Sequence, residues 1–145
     1  MKDGDLRILF RHKFPSFQWS SIETAGTATG VPDCEYCTST GTQGWIEFKV
    51  THGFHVKLSP LQVAWLTRRC RYGGNAWIAV RRIPTAKMYE GVDELWLMRG
   101  DQAANLLAYG LKGIPKDQIQ MWCDGPSNWD WNQVQKALHL KPPGV

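Results

Sequence analysis

The sequence predicts an α/β (α+β) domain with a small mixed β-sheet flanked by helices. Three observations predict it. A strand–turn–strand pattern runs from Val31 to Thr51, a well-capped helix follows at Ser59-Pro60, and short apolar runs at Asn75–Arg82 and Glu94–Met98 follow that helix. The chain has 145 residues, of which 43% are hydrophobic and 21% charged. This fits a single domain over residues 1–145, able to bury a core without staples, and excludes disorder along most of its length.

Taken in order, residues 6–22 mix apolar, aromatic and basic side chains around Pro15, which predicts at most a short helix on either side of it. Residues 24–30, TAGTATG, are small and polar and read as a loop whose backbone passes close to another group. Val31–Thr38 and Gly44–Thr51 are strands, and STGTQG between them is turn chemistry, so the two form a hairpin. Along the second strand Trp45, Glu47 and Lys49 share one face, and Ile46, Phe48 and Val50 share the other. Ser59 is a good N-cap with Pro60 at the first helical position, Leu61, Ala64, Trp65 and Leu66 make the apolar stripe, and Gly73-Gly74 stop the helix. Asn75–Arg82 and Glu94–Met98 are strands, Asp101–Tyr109 a helix, and Ser127 to about His139 a last helix before a fraying Pro-Pro-Gly tail.

The formal net charge of +4 permits a polyanionic partner. Arg68, Arg69, Arg71, Arg81 and Arg82 fall close together. The opening MKDGDLRILF carries charges where a signal peptide needs an apolar core, and no apolar run is long enough to span a bilayer. The expectation is a cytoplasmic protein with no membrane partner and four reduced cysteines.

The chemistry concentrates in Pro32-Asp33 and Glu47-Phe48-Lys49. Phosphodiester hydrolysis needs a divalent cation, an activated water and stabilisation of developing charge. Magnesium prefers oxygen ligands such as Asp33 and Glu47, and a lysine beside them orients water and stabilises negative charge. Glu47 and Lys49, two apart in a strand, project from the same face, and Asp33 on the neighbouring strand reaches the same metal. Glu23, ahead of the Gly/Thr loop, is a further candidate ligand. Its alternative is an ordinary charge near a helix end.

The stretches IETAGTATGVPDCEYCTSTGTQGWIEFKV and LSPLQVAWLTRRCRYGG resemble the VRR-NUC branch of the PD-(D/E)XK nucleases, in particular the small stand-alone versions carried by bacteriophages. They are more distantly similar to archaeal-type Holliday junction resolvases. The resemblance covers roughly residues 20–85 and does not extend to 86–145, a C-terminal extension of unknown role. It implies a restriction-endonuclease-like core and a catalytic set of Glu23, the Gly30–Asp33 segment, Glu47, Lys49 and Gln62. It also implies a DNA endonuclease selective for branched DNA, a homodimer, and Mg2+ as cofactor with Mn2+ as substitute. Asp33, Glu47 and Glu23 would be the metal ligands.

Several residues carry two readings. Gln62 completes a capping box with Ser59, and it also fits active-site support. Arg68, Arg69 and Arg71 are either a solvated helix face or DNA phosphate contacts, and Lys57 and His55 are placed with them as DNA-binding residues. Of Arg81 and Arg82, adjacent in a strand, at most one faces DNA. Cys34-x-x-Cys37 followed by His52-x-x-His55 resembles a Cys2His2 zinc site on paper, but residues three apart in a strand diverge. A zinc-containing binding module, or a nuclease fold without catalysis, is therefore the alternative. Trp65 and Trp77 belong to the core, and Trp129 and Trp131 pack rather than stack on bases.

Overall fold

The computed structural model describes residues 2–22, 30–83, 85 and 92–142. Its elements run α1 (Asp3–Lys13), β1 (Gln18–Ser21), β2 (Cys34–Cys37), β3 (Gln43–Thr51), α2 (Pro60–Arg71), β4 (Ala76–Arg82), β5 (Glu94–Arg99), α3 (Ala103–Tyr109), β6 (Ile119–Trp122) and α4 (Trp131–His139). The six strands form one mixed sheet in the order β1-β2-β3-β4-β5-β6. Every neighbouring pair is antiparallel except β3–β4, which is parallel and joined by α2 as the crossover.

Period-2 alternation along β2–β5 divides the interior into two cores, one on each face of the sheet. Cys34, Tyr36, Ile46, Phe48, Trp77, Ala79, Leu95 and Leu97 face α1 and α4, which supply Leu6, Phe10, Val134, Ala137 and Leu138. Ala76, Ile78, Val80 and Met98 face α2 and α3, which supply Leu66, Ala103 and Leu106. The result is a mixed sheet with helices on both faces, in keeping with the expected sheet flanked by helices. Residues 94–142 add two strands and two helices to this same sheet and these same cores.

The first twenty residues differ from expectation. Before Pro15 stands an 11-residue helix, and after it a strand instead of a second helix. Leu6, Phe10 and Phe14 repeat at helical spacing and are fully or nearly buried, while Asp3 and Asp5 lie in the first turn and Arg11, His12 and Lys13 in the last. Both ends therefore complement the helix dipole. Burial of a side chain such as Phe10 contributes about 1.5–3 kcal/mol, enough to override the mixed polarity of the segment. The strand expected from Val31 is regular only over Cys34–Cys37. The helix expected from Asp101 begins as a 3-10 turn at Gly100–Gln102, and the last helix starts at Trp131, where the Asp130 side chain accepts from Gln133 N. β6 was not foreseen. Only four residues long and at the sheet edge, it carries little alternation to reveal it.

The two halves of the chain are tied by a buried polar relay. The Tyr36 hydroxyl donates to Leu138 O at 2.8 Å and accepts from Asn75 Nδ2 at 3.1 Å. Asn75 also donates to Gln43 O, and its Oδ1 accepts from Arg99. Gly44, opposite Tyr36, leaves room for the ring, since a Cβ there would lie 2.4 Å from it. We expect Tyr36→Phe to cost about 1–3 kcal/mol in urea denaturation, because the Leu138 carbonyl and the Asn75 amide lose a partner without gaining water.

Candidate active site

The site forms where β2, β3 and the first turn of α2 meet. Cys34 pairs with Ile46, so one further step in the antiparallel register sets Asp33 opposite Glu47. Asp33 lies just past the end of regular β2 pairing, and its carbonyl accepts from Ile22 N at 2.9 Å. Ile46 and Phe48 are buried in the α1/α4 core, which turns Glu47 and Lys49 towards α2. Glu47 is only 6% exposed, because β3 is an interior strand covered by that helix.

Gln62 knits the site together. Its Nε2 donates to Glu47 Oε1 at 2.8 Å, while its Oε1 accepts from Lys49 Nζ at 3.4 Å and from Ser59 N at 3.0 Å. Ser59 Oγ in turn accepts from Gln62 N, which completes the capping box. The two readings of Gln62 are thus both realised: capping fixes the side chain whose other end meets the carboxylate. Lys49 Nζ stands 3.6 Å from Glu47 Oε1. Gly30 explains why the chain can pass here. It has φ +77, and a Cβ on it would lie 2.1 Å from Leu61 O, so only glycine lets the Gly-x-Pro-Asp segment lie against the first turn of α2.

Burial is the largest influence on both carboxyls. It raises Glu47 to about 7, against the lowering effect of Lys49 and with a further push from Asp33. It raises Asp33 as well, against Arg7 and Lys49. Asp33 Oδ1 is buried without a hydrogen-bond partner, and Oδ2 lies 3.7 Å from Arg7 Nη1. Two facing carboxyls, one with an orphaned oxygen, are a donor set that suits a hard divalent cation. Among the described residues no group of three or more His, Cys, Asp or Glu side chains is arranged to hold a metal. Glu23, the further ligand expected from the sequence, lies outside the described residues, as does the loop expected at 24–29.

Arg7 and Asp3 are neighbours of the site that the sequence reading did not single out. Asp3 Oδ1 accepts from Val50 N at 2.7 Å, on the stretch of β3 beyond the end of β2. The helical spacing of Leu6 and Phe10 was the available signal, since it places Asp3 and Arg7 one turn apart on α1.

The remaining candidates are not at this spot. Arg68, Arg69 and Arg71 are exposed at the other end of α2, with Arg69 about 10 Å along the helix from Gln62. His55 and Lys57 are exposed in the connection leading into α2. Arg81 makes a two-pronged pair with Asp93, at 2.9 and 2.6 Å, and lies over the Trp129 ring; Arg82 pairs with Glu94. Both are thus committed to carboxylates on opposite faces of β4. The zinc arrangement is corrected by the same alternation. Cys34 is buried in the α1/α4 core and Cys37 turns to the opposite face, while His52 Nδ1 bonds Ile83 O, so the four do not converge. Trp77 is core, Trp65 packs half-buried against the α2 core, and Trp129 and Trp131 pack against each other and, through Trp131, on Phe10 and Phe14.

A carboxyl raised in the folded state binds protons that the unfolded chain releases, so stability falls as pH rises through the window from 4.5 to about 7. In chelator, the melting temperature should therefore drop between pH 5 and pH 8. Glu47→Gln should flatten that dependence and stabilise the protein at the alkaline end by roughly 2–3 kcal/mol.

No family model and no curated protein matches the chain. Among solved structures it is similar to Hjc, a Holliday junction resolvase from the archaeal hyperthermophile Archaeoglobus fulgidus. The two share 20% identity at a TM-score of 0.43, over 68% of this chain and 75% of that one.

Proposed function

We propose that this chain is a divalent-metal-dependent DNA endonuclease of the PD-(D/E)XK type. The observation that supports this reading best is the convergence of four residues. Asp33 faces Glu47 across adjacent strands, and Lys49 and Gln62 both contact the Glu47 carboxylate. The same four residues stand out in the sequence by type and spacing alone.

Asp33 and Glu47 would hold Mg2+, or Mn2+ in its place, with Glu23 completing the ligand set; when bound, the ion supplies Lewis-acid activation of water and neutralises phosphate charge. Lys49 orients the attacking water for in-line displacement and stabilises the charge that develops on the phosphate. Gln62 keeps Glu47 and Lys49 in register, and burial of the pair strengthens each of these interactions. The preferred substrate in this reading is branched DNA such as a four-way junction, and the active form is a homodimer presenting two sites for two incisions. Both of these finer points rest on the sequence resemblance.

The test is cleavage of a labelled four-way junction beside linear duplex and single strand of the same sequence, with magnesium, manganese or chelator. We expect metal-dependent cutting of the junction in preference to the other two, reduced at least about 100-fold by Lys49→Ala. Equal cutting of all three would remove the junction preference. Absence of cutting by folded, DNA-bound protein would overturn the enzyme and leave a binding module.

A further inference from the structure

The exposed stripe of α2 is built from aromatic and basic residues. Trp65, Arg68, Arg69 and the capping residue Tyr72 recur at i, i+3, i+4 and i+7, so they share one face, on the flank of the helix beside the buried Leu66 with Trp65 half-buried at its edge. Arg69 lies over the Trp65 ring at 4.6 Å and over the Trp45 ring at 5.6 Å, and those two rings meet edge-on at 5.3 Å. Gly74 makes room for this stack, because a Cβ there would lie 2.2 Å from the Arg69 side chain. Trp65, Arg68, Arg69, Tyr72, Gly73 and Gly74 line a surface cavity of about 560 Å³. The cavity beside it is bordered by Trp45 and Lys141 and by one carboxylate, Glu35.

Two features separate this face from an ordinary solvated helix. Tyr72 is 84% exposed, an aromatic ring left open beside a pre-stacked Arg–Trp–Trp cluster. Among the described residues Arg68, Arg69 and Arg71 form no salt bridge and no side-chain hydrogen bond, whereas Arg7, Arg81 and Arg82 face carboxylates and Arg11 and Arg99 bond Ser21 and Asn75. Unpaired guanidinium groups beside an open aromatic ring match a nucleic-acid strand twice over: cations for the phosphates and a flat apolar face for a base.

We propose that this stripe is a binding platform for unpaired DNA, with a base stacking on Tyr72 against the Trp65–Arg69 surface and flanking phosphates on Arg68 and Arg71. The inference rests on the nuclease reading for its substrate class and deepens it. Ten residues of helix separate Gln62 from Tyr72, about 15 Å. At the duplex rise of about 3.4 Å per nucleotide the stacked base lies at most roughly four steps from the cut position, and fewer where the unpaired strand is stretched. The platform therefore selects DNA whose strand is unpaired at that distance, as at a junction centre, flap or overhang.

The test is fluorescence anisotropy of the full chain in chelator, where cutting is suppressed, with a labelled single strand and a blunt duplex of the same sequence. Tyr72→Ala should raise the Kd for the single strand about fivefold or more and leave the duplex within about twofold, because one stacked base is lost and no charge is removed. Tyr72→Phe should restore binding, which separates stacking from a hydroxyl contact. Tyr72 is exposed, so neither variant threatens the fold. Equal weakening on both DNAs, no change on either, or a wild type that fails to bind single strand would overturn the platform. Cleavage with metal is read separately. Cutting that survives alongside Tyr72-independent binding sinks the platform alone, and Tyr72-dependent binding without any cutting sinks the nuclease and supports the platform.

Discussion

The carboxyl of Glu47 sets the terms for everything around it. It sits on an interior strand of a sheet covered on both faces, where an isolated ionised group is untenable. Gln62, Lys49 and the first turn of α2 are the local answer to that problem. The answer is incomplete, since burial still wins and lifts the group to about 7, leaving it only partly ionised near neutral pH. A structural residue in this place would be replaced at a gain in stability. A buried carboxyl lifted this far marks a candidate functional position.

Much of this was legible because the site depends on short-range order. The alternation along β3 assigns Glu47 and Lys49 to one face without reference to anything else, and the Ser59–Gln62 capping box is complete within four residues. The hairpin turn then fixes where Asp33 stands relative to Glu47. What the sequence could not show are consequences of packing. Arg7 and Asp3 reach the site because α1 lies across β3, a placement set by Leu6 and Phe10 finding Phe48, not by any local pattern near Arg7. The fates of Arg81 and Arg82 likewise depend on Asp93 and Glu94 arriving from β5 and the turn before it. The C-terminal segment without family likeness is an integral part of the sheet, and it is tied to β2 by the Tyr36–Leu138 contact and, by way of Asn75, by Arg99, far apart in sequence.

The two ends of α2 carry side chains of different character on one helix. The N-terminal turn is polar, capped and pressed against the glycine of the Gly-x-Pro-Asp segment. The C-terminal turns carry three arginines, which also suit the negative end of the helix dipole. Because the helix is held on Leu66 and the half-buried Val63 and Cys70, neither end can shift without moving the other. Spacing between the two surfaces is therefore set by backbone geometry and not by side-chain flexibility.

The single parallel pairing among the described strands, β3 with β4, also bears on when the site comes into being. The β2–β3 hairpin is local and can close early, but by itself it leaves Asp33 and Glu47 on an open face in water. Their desolvation, and the arrival of Gln62, wait for α2 to cross over and for β4 to dock beside β3, a slower step because its contacts are distant in sequence. A chain still leaving the ribosome, with residues beyond about position 70 unmade, thus carries Asp33, Glu47, Lys49 and Gln62 yet lacks the strand that completes their enclosure. Assembly order alone thus separates the making of these side chains from the closing of the protein around them.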